Sequence, residues 1–239
     1  MPDGASIRRG ITYHPDLIQG SEEWHAARCG LLTASEMKLI VTPGTLKIAR
    51  NDKERAHLYE LLAQRITRYV EPSYISDDML RGHEDEIEAK IQYAQKYAPV
   101  KDMGFITNDK WGFTIGCSPD GLVDPDGILQ CKSRRQKYQV ETIVENVIEG
   151  TMPADYTIQV QTELLVSERA WCDFISYSGG LPMATIRVYP IPEVQDAIVN
   201  AAGEFEKRLA EKMANYHAAL KSGARLIPTE RRVVQEMHL

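Results

Sequence analysis

The chemistry of this sequence centres on Asp120, in Ser118-Pro-Asp-Gly121, and on Gln130-Cys-Lys132 a short way downstream. On a strand, residues two apart face the same side. Gln130 and Lys132 therefore point together, and Asp120, near the other arm of a hairpin, can meet them. A carboxylate beside a lysine on facing strands is the minimum for metal-assisted phosphodiester cleavage. The carboxylate holds a hard cation, and the lysine orients or deprotonates an attacking water. Singly these residues say little, since Pro-Asp-Gly is a common turn and an isolated strand lysine is usually a solvated one.

Those residues must be held by a hairpin. Trp111-Gly-Phe-Thr-Ile-Gly-Cys117 alternates like a strand, and Gly121-Leu-Val123 continues extended. Asp124-Pro-Asp-Gly127 signals a turn, and Gly127 to Lys132 returns as the partner strand. Upstream, Ser21 is the expected N-cap of a helix that begins Glu22-Glu23-Trp24. Thr33-Ala-Ser35 is expected to open a short helix through Met37 to Ile40. Leu58, Leu61, Leu62 and Ile66 recur at helical spacing within Asp52 to Val70. Ser76-Asp77-Asp78 caps another expected helix, running through Glu86 and Ala89 to Tyr97.

Downstream, a helix is predicted over Tyr138 to Ile148, and another begins at Pro153 and carries Gln159, Gln161, Leu164 and Leu165. Strands are predicted over Ala170 to Tyr177 and Met183 to Tyr189, and a long helix over Val194 to Leu220. The reading is α/β: one domain over residues 1–239, a small central mixed sheet flanked by helices.

The chain has 239 residues, 43% of them hydrophobic, enough to bury a sizeable core. No run of eighteen apolar residues occurs, and MPDGASIRRG lacks the apolar stretch of a secretory signal, so a cytoplasmic protein with no membrane span is expected. Cys29, Cys117, Cys131 and Cys172 are dispersed without a CxxC pair, which points to reduced, buried thiols and away from zinc or iron–sulfur ligation. The net charge of −6 argues against a protein that coats nucleic acid along its length. It leaves a nuclease open, because an enzyme needs only a local positive surface on an otherwise repelling body.

Five ordered blocks carry a more specific signal: Trp24-x3-Arg28-x-Gly30-x2-Thr33-Ala-Ser35; Gly82-x3-Glu86-x2-Ala89; Gly116-Cys-Ser-Pro-Asp-Gly121; Gln130-x-Lys132; and Tyr156-x2-Gln159-x-Gln161 with Trp171-x2-Phe174. Together they resemble the PD-(D/E)xK nuclease superfamily, and within it the phage lambda exonuclease family of alkaline 5′→3′ exonucleases related to viral recombinases. The resemblance implies a restriction-endonuclease-like core and two magnesium ions, with manganese able to substitute. Asp120 would bind or bridge the ions, the main-chain carbonyl of Cys131 and the carboxylate of Glu86 would be further ligands, and Lys132 would activate water. Gln159 would hydrogen-bond near the nucleophile. Arg28, Thr33, Ser35 and Ser118 resemble the family's pocket for a 5′-terminal phosphate. Arg is a bidentate phosphate donor, and hydroxyls at a helix N-terminus add neutral donors.

The likeness further implies degradation of the 5′ strand of linear duplex DNA to mononucleotides, leaving a 3′ overhang. It implies a ring-shaped homotrimer and a single-strand annealing protein as partner. Ser133-Arg-Arg-Gln-Lys137 would form a basic lip for the duplex.

One position departs from the family. Gln130 stands where a Glu is expected, nearly isosteric but without the charge a divalent cation prefers. Either the residue was substituted on purpose, to hold metal and DNA without cleavage, or the protein tolerates Gln naturally. The intact surrounding blocks favour the first. The rival readings are an endonuclease of the same superfamily, which would cut closed circles, and a non-catalytic DNA-end-binding module.

Overall fold

Ser21 accepts a hydrogen bond from the backbone N–H of Trp24 at 3.2 Å and so starts α1 (Glu22–Arg28), as its sequence predicts. The structure, a computed structural model, describes residues 10–72 and 77–231. Asn51 caps α2 (Asp52–Thr67) through Glu54 N–H, and α2 ends at Thr67, three residues before the expected Val70, with Arg68 left-handed as its C-cap. Helix α3 spans Asp77–Lys96; its expected cap at Ser76 lies outside the described residues, as do residues 1–9 and 232–239.

Among the described residues, nine strands form two small mixed sheets flanked by helices, the expected α/β class with its sheet divided in two. The first has the order β1 (Ile11–His14), β4 (Phe105–Asn108), β5 (Ile115–Cys117), β2 (Leu32–Thr33), with β2 parallel to β5. The second has the order β3 (Val100–Lys101), β6 (Gly121–Val123), β7 (Gly127–Ser133), β8 (Trp171–Tyr177), β9 (Ala184–Val188), with β7 and β8 parallel. The hairpin β6–β7 pairs Gly121 with Leu129 and Val123 with Gly127, turning at Asp124 to Asp126 as predicted. The predicted strand from Trp111 shrinks to Ile115–Cys117. Gly112 adopts φ +88° and donates to Asp109 O at 3.0 Å, so Trp111 to Phe113 turn instead and pack on the main core.

The short helix expected over Met37 to Ile40 is a single 3₁₀ turn, Met37–Leu39, preceded by Glu36 with no side-chain cap. Ser35 is therefore not its cap, and three residues supply no helix dipole for an anion. After β7 come α4 (Gln136–Glu141) and a π-helical turn (Thr142–Val147), together covering the predicted helix. Pro153 precedes a 3₁₀ turn (Ala154–Tyr156) that feeds α5 (Thr157–Ser167). Pro192–Lys221 forms α6, with Pro in its first turn. Among the described residues, no helix is long and apolar enough to cross a membrane.

Strand β7 divides the interior. Leu129 and Cys131 face Ala89 and Tyr93 of α3, whereas Ile128 joins the larger core with Ile158, Val160 and Phe174. A buried charge fixes α3 to this sheet. Asp173 of β8, 4% exposed, accepts from Tyr93 Oη at 2.6 Å and from Arg187 Nε and Nη2, both at 2.8 Å. Removing the carboxylate strands the Tyr93 hydroxyl in the core. Asp173→Ala is expected to lower unfolding stability by about 3 kcal/mol in urea titration; an unchanged midpoint would show that the clamp contributes nothing.

Candidate active site

Asp120 sits where the chain leaves the first sheet at Cys117 and enters the second at Gly121. Close packing explains both glycines of the Gly116–Gly121 block. A Cβ on Gly116 would lie 2.2 Å from the Phe105 ring, and one on Gly121 2.3 Å from Val100. Asp120 N–H donates to Leu129 O at 3.0 Å, continuing the hairpin ladder. Its Oδ2 accepts from Cys131 N–H at 2.5 Å and from Gln130 Nε2 at 2.6 Å. Asp120, Gln130 and Lys132 thus meet as the strand geometry predicts.

The alternation of β7 sends Gln130 and Lys132 toward α5. There Gln159 Nε2 lies 3.4 Å from Gln130 Oε1 and donates to Glu163 Oε1 at 2.8 Å. Glu86, one helical turn before Lys90 on α3, enters from the opposite side and lies 3.7 Å from the Lys90 ammonium, which also pairs with Asp102 at 2.8 Å. Lys132 makes no ion pair among the described residues, and its Nζ lies 5.6 Å from the Tyr156 ring centre.

Asp120, Gln130, Lys132, Gln159, Glu163 and Glu86 line one cavity of ≈ 220 Å³ with Arg28, Ser35 and Ser118. Parallel pairing of β2 with β5 sets Thr33 beside Gly116, and Ala34 N–H donates to Gly116 O at 2.9 Å, which brings Ser35 near Ser118. Trp24 Nε1 donates to Ser118 Oγ at 3.0 Å, and the Arg28 guanidinium lies 4.1 Å from the Trp24 ring centre. Thr33 is placed differently from the other three. It is 1% exposed and lies behind the cavity wall, where it accepts from Arg28 Nη2 at 3.2 Å and donates to Glu36 at 2.9 Å. It holds Arg28 rather than facing the cavity. A larger cavity of ≈ 1120 Å³ shares Gln19, Trp24, Glu86 and Asp120 with the first.

The electrostatics of the cavity are those of carboxylates crowded away from water. Burial, then the charge of Glu86, pushes Asp120 up to about 7, against Lys132 and the Cys131 N–H. Burial likewise raises Glu86, opposed by Lys90 and Lys132. Burial pushes Glu163 up to about 8, with Lys132 pulling down and Asp120 pushing up. A divalent cation would relieve this repulsion, so the donor set of Asp120, Glu86 and the Cys131 carbonyl fits a hard metal. The carboxylates do not crowd around a single point, however. Among the described residues, the His, Cys, Asp and Glu ligand atoms that converge to within 4.8 Å of one another belong to Glu36, His57 and Glu60, outside the cavity lining. Glu86, Asp120 and Glu163 stand further apart, a spacing suited to ions that keep several waters.

The basic run after β7 borders a separate cavity lined by Arg81, Arg134, Arg135, Tyr138 and Tyr156. Arg134 Nη1 donates to Tyr156 Oη at 2.7 Å, so the same tyrosine touches the basic lip and neighbours Lys132. Glu163 has no place among the sequence-predicted residues, although its spacing from Gln159 puts both on one helix face.

The sequence profile of the YqaJ-like viral recombinase domain matches residues 23–170. No curated protein matches the sequence significantly. The crystal structure of LHK-Exo in complex with dAMP is 28% identical, with a TM-score of 0.74, covering 85% of this chain and 100% of that one. Another structure of that alkaline exonuclease, from Laribacter hongkongensis, is 27% identical, with a TM-score of 0.73 and the same coverage. A phage related exonuclease from Haemophilus somnus 129PT shares the fold at 16% identity and a TM-score of 0.51, over 77% of this chain and 96% of that one. Since the profile runs from the residue before Trp24 almost to β8, taking in every residue that lines the small cavity except Gln19, the chain belongs to the YqaJ-like viral recombinase family, the lambda exonuclease family of nucleases.

Proposed function

We propose that this chain is the nuclease domain of a magnesium-dependent exonuclease that degrades linear double-stranded DNA from 5′ to 3′. It would act in the cytoplasm, releasing 5′-mononucleotides and leaving a 3′ single-stranded overhang. The observation that carries this reading is one small cavity that brings Asp120, Glu86 and Lys132 together with Arg28, Ser35 and Ser118. A 5′-terminal phosphate held by the Arg28 fork and the two hydroxyls leaves the next phosphodiester at the carboxylates. A 3′ end carries no such phosphate, and an unbroken strand cannot bring one in. That favours an end-dependent exonuclease over an endonuclease. The dAMP held by LHK-Exo is a mononucleotide of the class this reaction would release.

In this reading Asp120, Glu86 and the Cys131 carbonyl hold the divalent cations, two magnesium ions or manganese in their place. The bound metal supplies Lewis acidity and a water of lowered pKa. Lys132 Nζ would orient the attacking water and, as the neutral amine, take its proton to become the ammonium. Gln159 steadies the side chain at position 130, and Trp24 keeps Arg28 in place by stacking. Gln130 leaves the site one negative charge short, so hydrolysis is slow or absent while DNA ends still bind. Family likeness supports a ring-shaped homotrimer around the DNA and a single-strand annealing protein that takes the overhang.

The test is digestion of 5′-phosphorylated linear, 5′-hydroxyl linear and circular duplex with magnesium, using the Gln130→Glu form. The phosphorylated ends should be digested fastest and the circle left intact. A cut circle would make the protein an endonuclease, and no digestion at all would leave a DNA-end-binding module. In the same assay Arg28→Ala is expected to lower the ratio of rates on phosphorylated over hydroxyl ends at least about tenfold. An unchanged ratio would take the 5′ phosphate away from Arg28.

A further inference from the structure

Glu163 occupies the middle of α5, a helix in which Ile158, Val160, Gln161, Thr162, Leu164, Leu165 and Val166 are also buried. It is 1% exposed. One carboxylate oxygen accepts from Gln159 at 2.8 Å, and the other, Oε2, has no hydrogen-bond partner. No lysine, arginine or histidine comes within ion-pairing distance of it among the described residues. A bare oxygen in a buried carboxylate is costly and calls for a partner. Protonation does not cure it, because an O–H at Oε2 would itself need an acceptor. The side chain lines the cavity of Asp120, Lys132 and Glu86, and Gln159 joins it to Gln130. The residue with the unused oxygen therefore stands one hydrogen-bonded neighbour from the position that lacks a charge.

We propose that Glu163 is a cation ligand of the nuclease site, supplying from α5 the negative charge that Gln130 does not. This rests on the nuclease reading above. With Asp120 and Glu86 it makes three carboxylate ligands, the number that Asp120, Glu86 and a Glu at position 130 would give without it. With Gln130 in place, the chain keeps its cation through Glu163, and position 130 governs how well the cation is aligned for reaction.

The test is calorimetric titration of manganese into the metal-free protein at pH 8.5, with DNA absent. Glu163→Gln is expected to weaken manganese binding at least about tenfold, with a metal-free melting temperature no lower than that of the parent. Adding Gln130→Glu to Glu163→Gln should return most of the lost affinity, because the charge comes back from the strand. If Asp120→Asn abolishes binding and Glu163→Gln leaves it unchanged, the cation site stands and Glu163 is not part of it. If Glu163→Gln melts lower, or its loss of binding is not recovered in the double variant, Glu163 is structural and the inference falls. If neither Asp120→Asn nor Glu163→Gln alters binding, the nuclease reading fails and takes the inference with it.

Discussion

Replacing Gln130 by Glu is expected to raise magnesium-dependent digestion of 5′-phosphorylated linear duplex at least about a hundredfold, the scale of one well-placed electrostatic group in an active site. The reason lies in what the amide does now. Gln130 Nε2 donates to Asp120 Oδ2 at 2.6 Å, so an N–H occupies the face of Asp120 that a cation would use. A Glu there turns a donor into an acceptor and sets two buried carboxylates against each other. Only a cation or a proton between them relieves that repulsion. The change should therefore tighten magnesium binding and quicken cleavage, while DNA-end binding without metal stays as it was. Single-turnover digestion at saturating magnesium measures it. Equal rates for the two forms would mean that position 130 is no deficit. Equal rates combined with a large loss in Glu163→Gln would mean that α5 has taken over the task completely.

The α/β class with mixed sheet flanked by helices was legible in the sequence, and so was the meeting of Asp120 with Gln130. Asp120, Gln130 and Lys132 meet because strand alternation and a Pro-Gly turn are local rules, and the β6–β7 hairpin obeys both. Most of the first sheet, and the β3 edge of the second, were not legible. Strands β1, β3 and β4 are two to four residues long and gain their pairing from distant segments, such as Ile11 with Asn108. No short window of sequence records that. The Trp111 alternation misled because Gly112 allows a positive φ that turns the chain, and its aromatics are apolar for packing rather than for pleating. Thr33 has the right chemistry for phosphate but lies behind the wall, a distinction of burial that residue type does not carry. Glu163 was passed over for the opposite reason: on a helix that also carries Gln159, Gln161 and Thr162, one more polar residue reads as an exposed edge. Its fourfold spacing from Gln159 was the available clue.

Without divalent metal the folded protein should lose stability as the pH rises from 5 to 8.5, by a few kcal/mol or roughly 10 °C in melting temperature. Asp120 is held up to about 7 and Glu163 up to about 8, both chiefly by burial. In the unfolded chain such groups titrate near 4. Between those values the folded state binds more protons than the unfolded one. Stability is therefore complete below about pH 4 for these groups and is lost as pH climbs through 7 and 8. A cation competes for the same oxygens, so its apparent affinity must rise over that range, and saturating magnesium at pH 8.5 should restore the melting temperature. Melting scans in a chelator and in magnesium, from pH 5 to 8.5, give both arms. The Asp120→Asn, Glu163→Gln double variant isolates the cause from the histidines by flattening both curves. A chelated parent whose melting temperature does not change with pH would refute the reading. The pH dependence also connects site to proposed function: oxygens that release their protons only near 7 and 8 would hold a cation more tightly as the pH rises through that range.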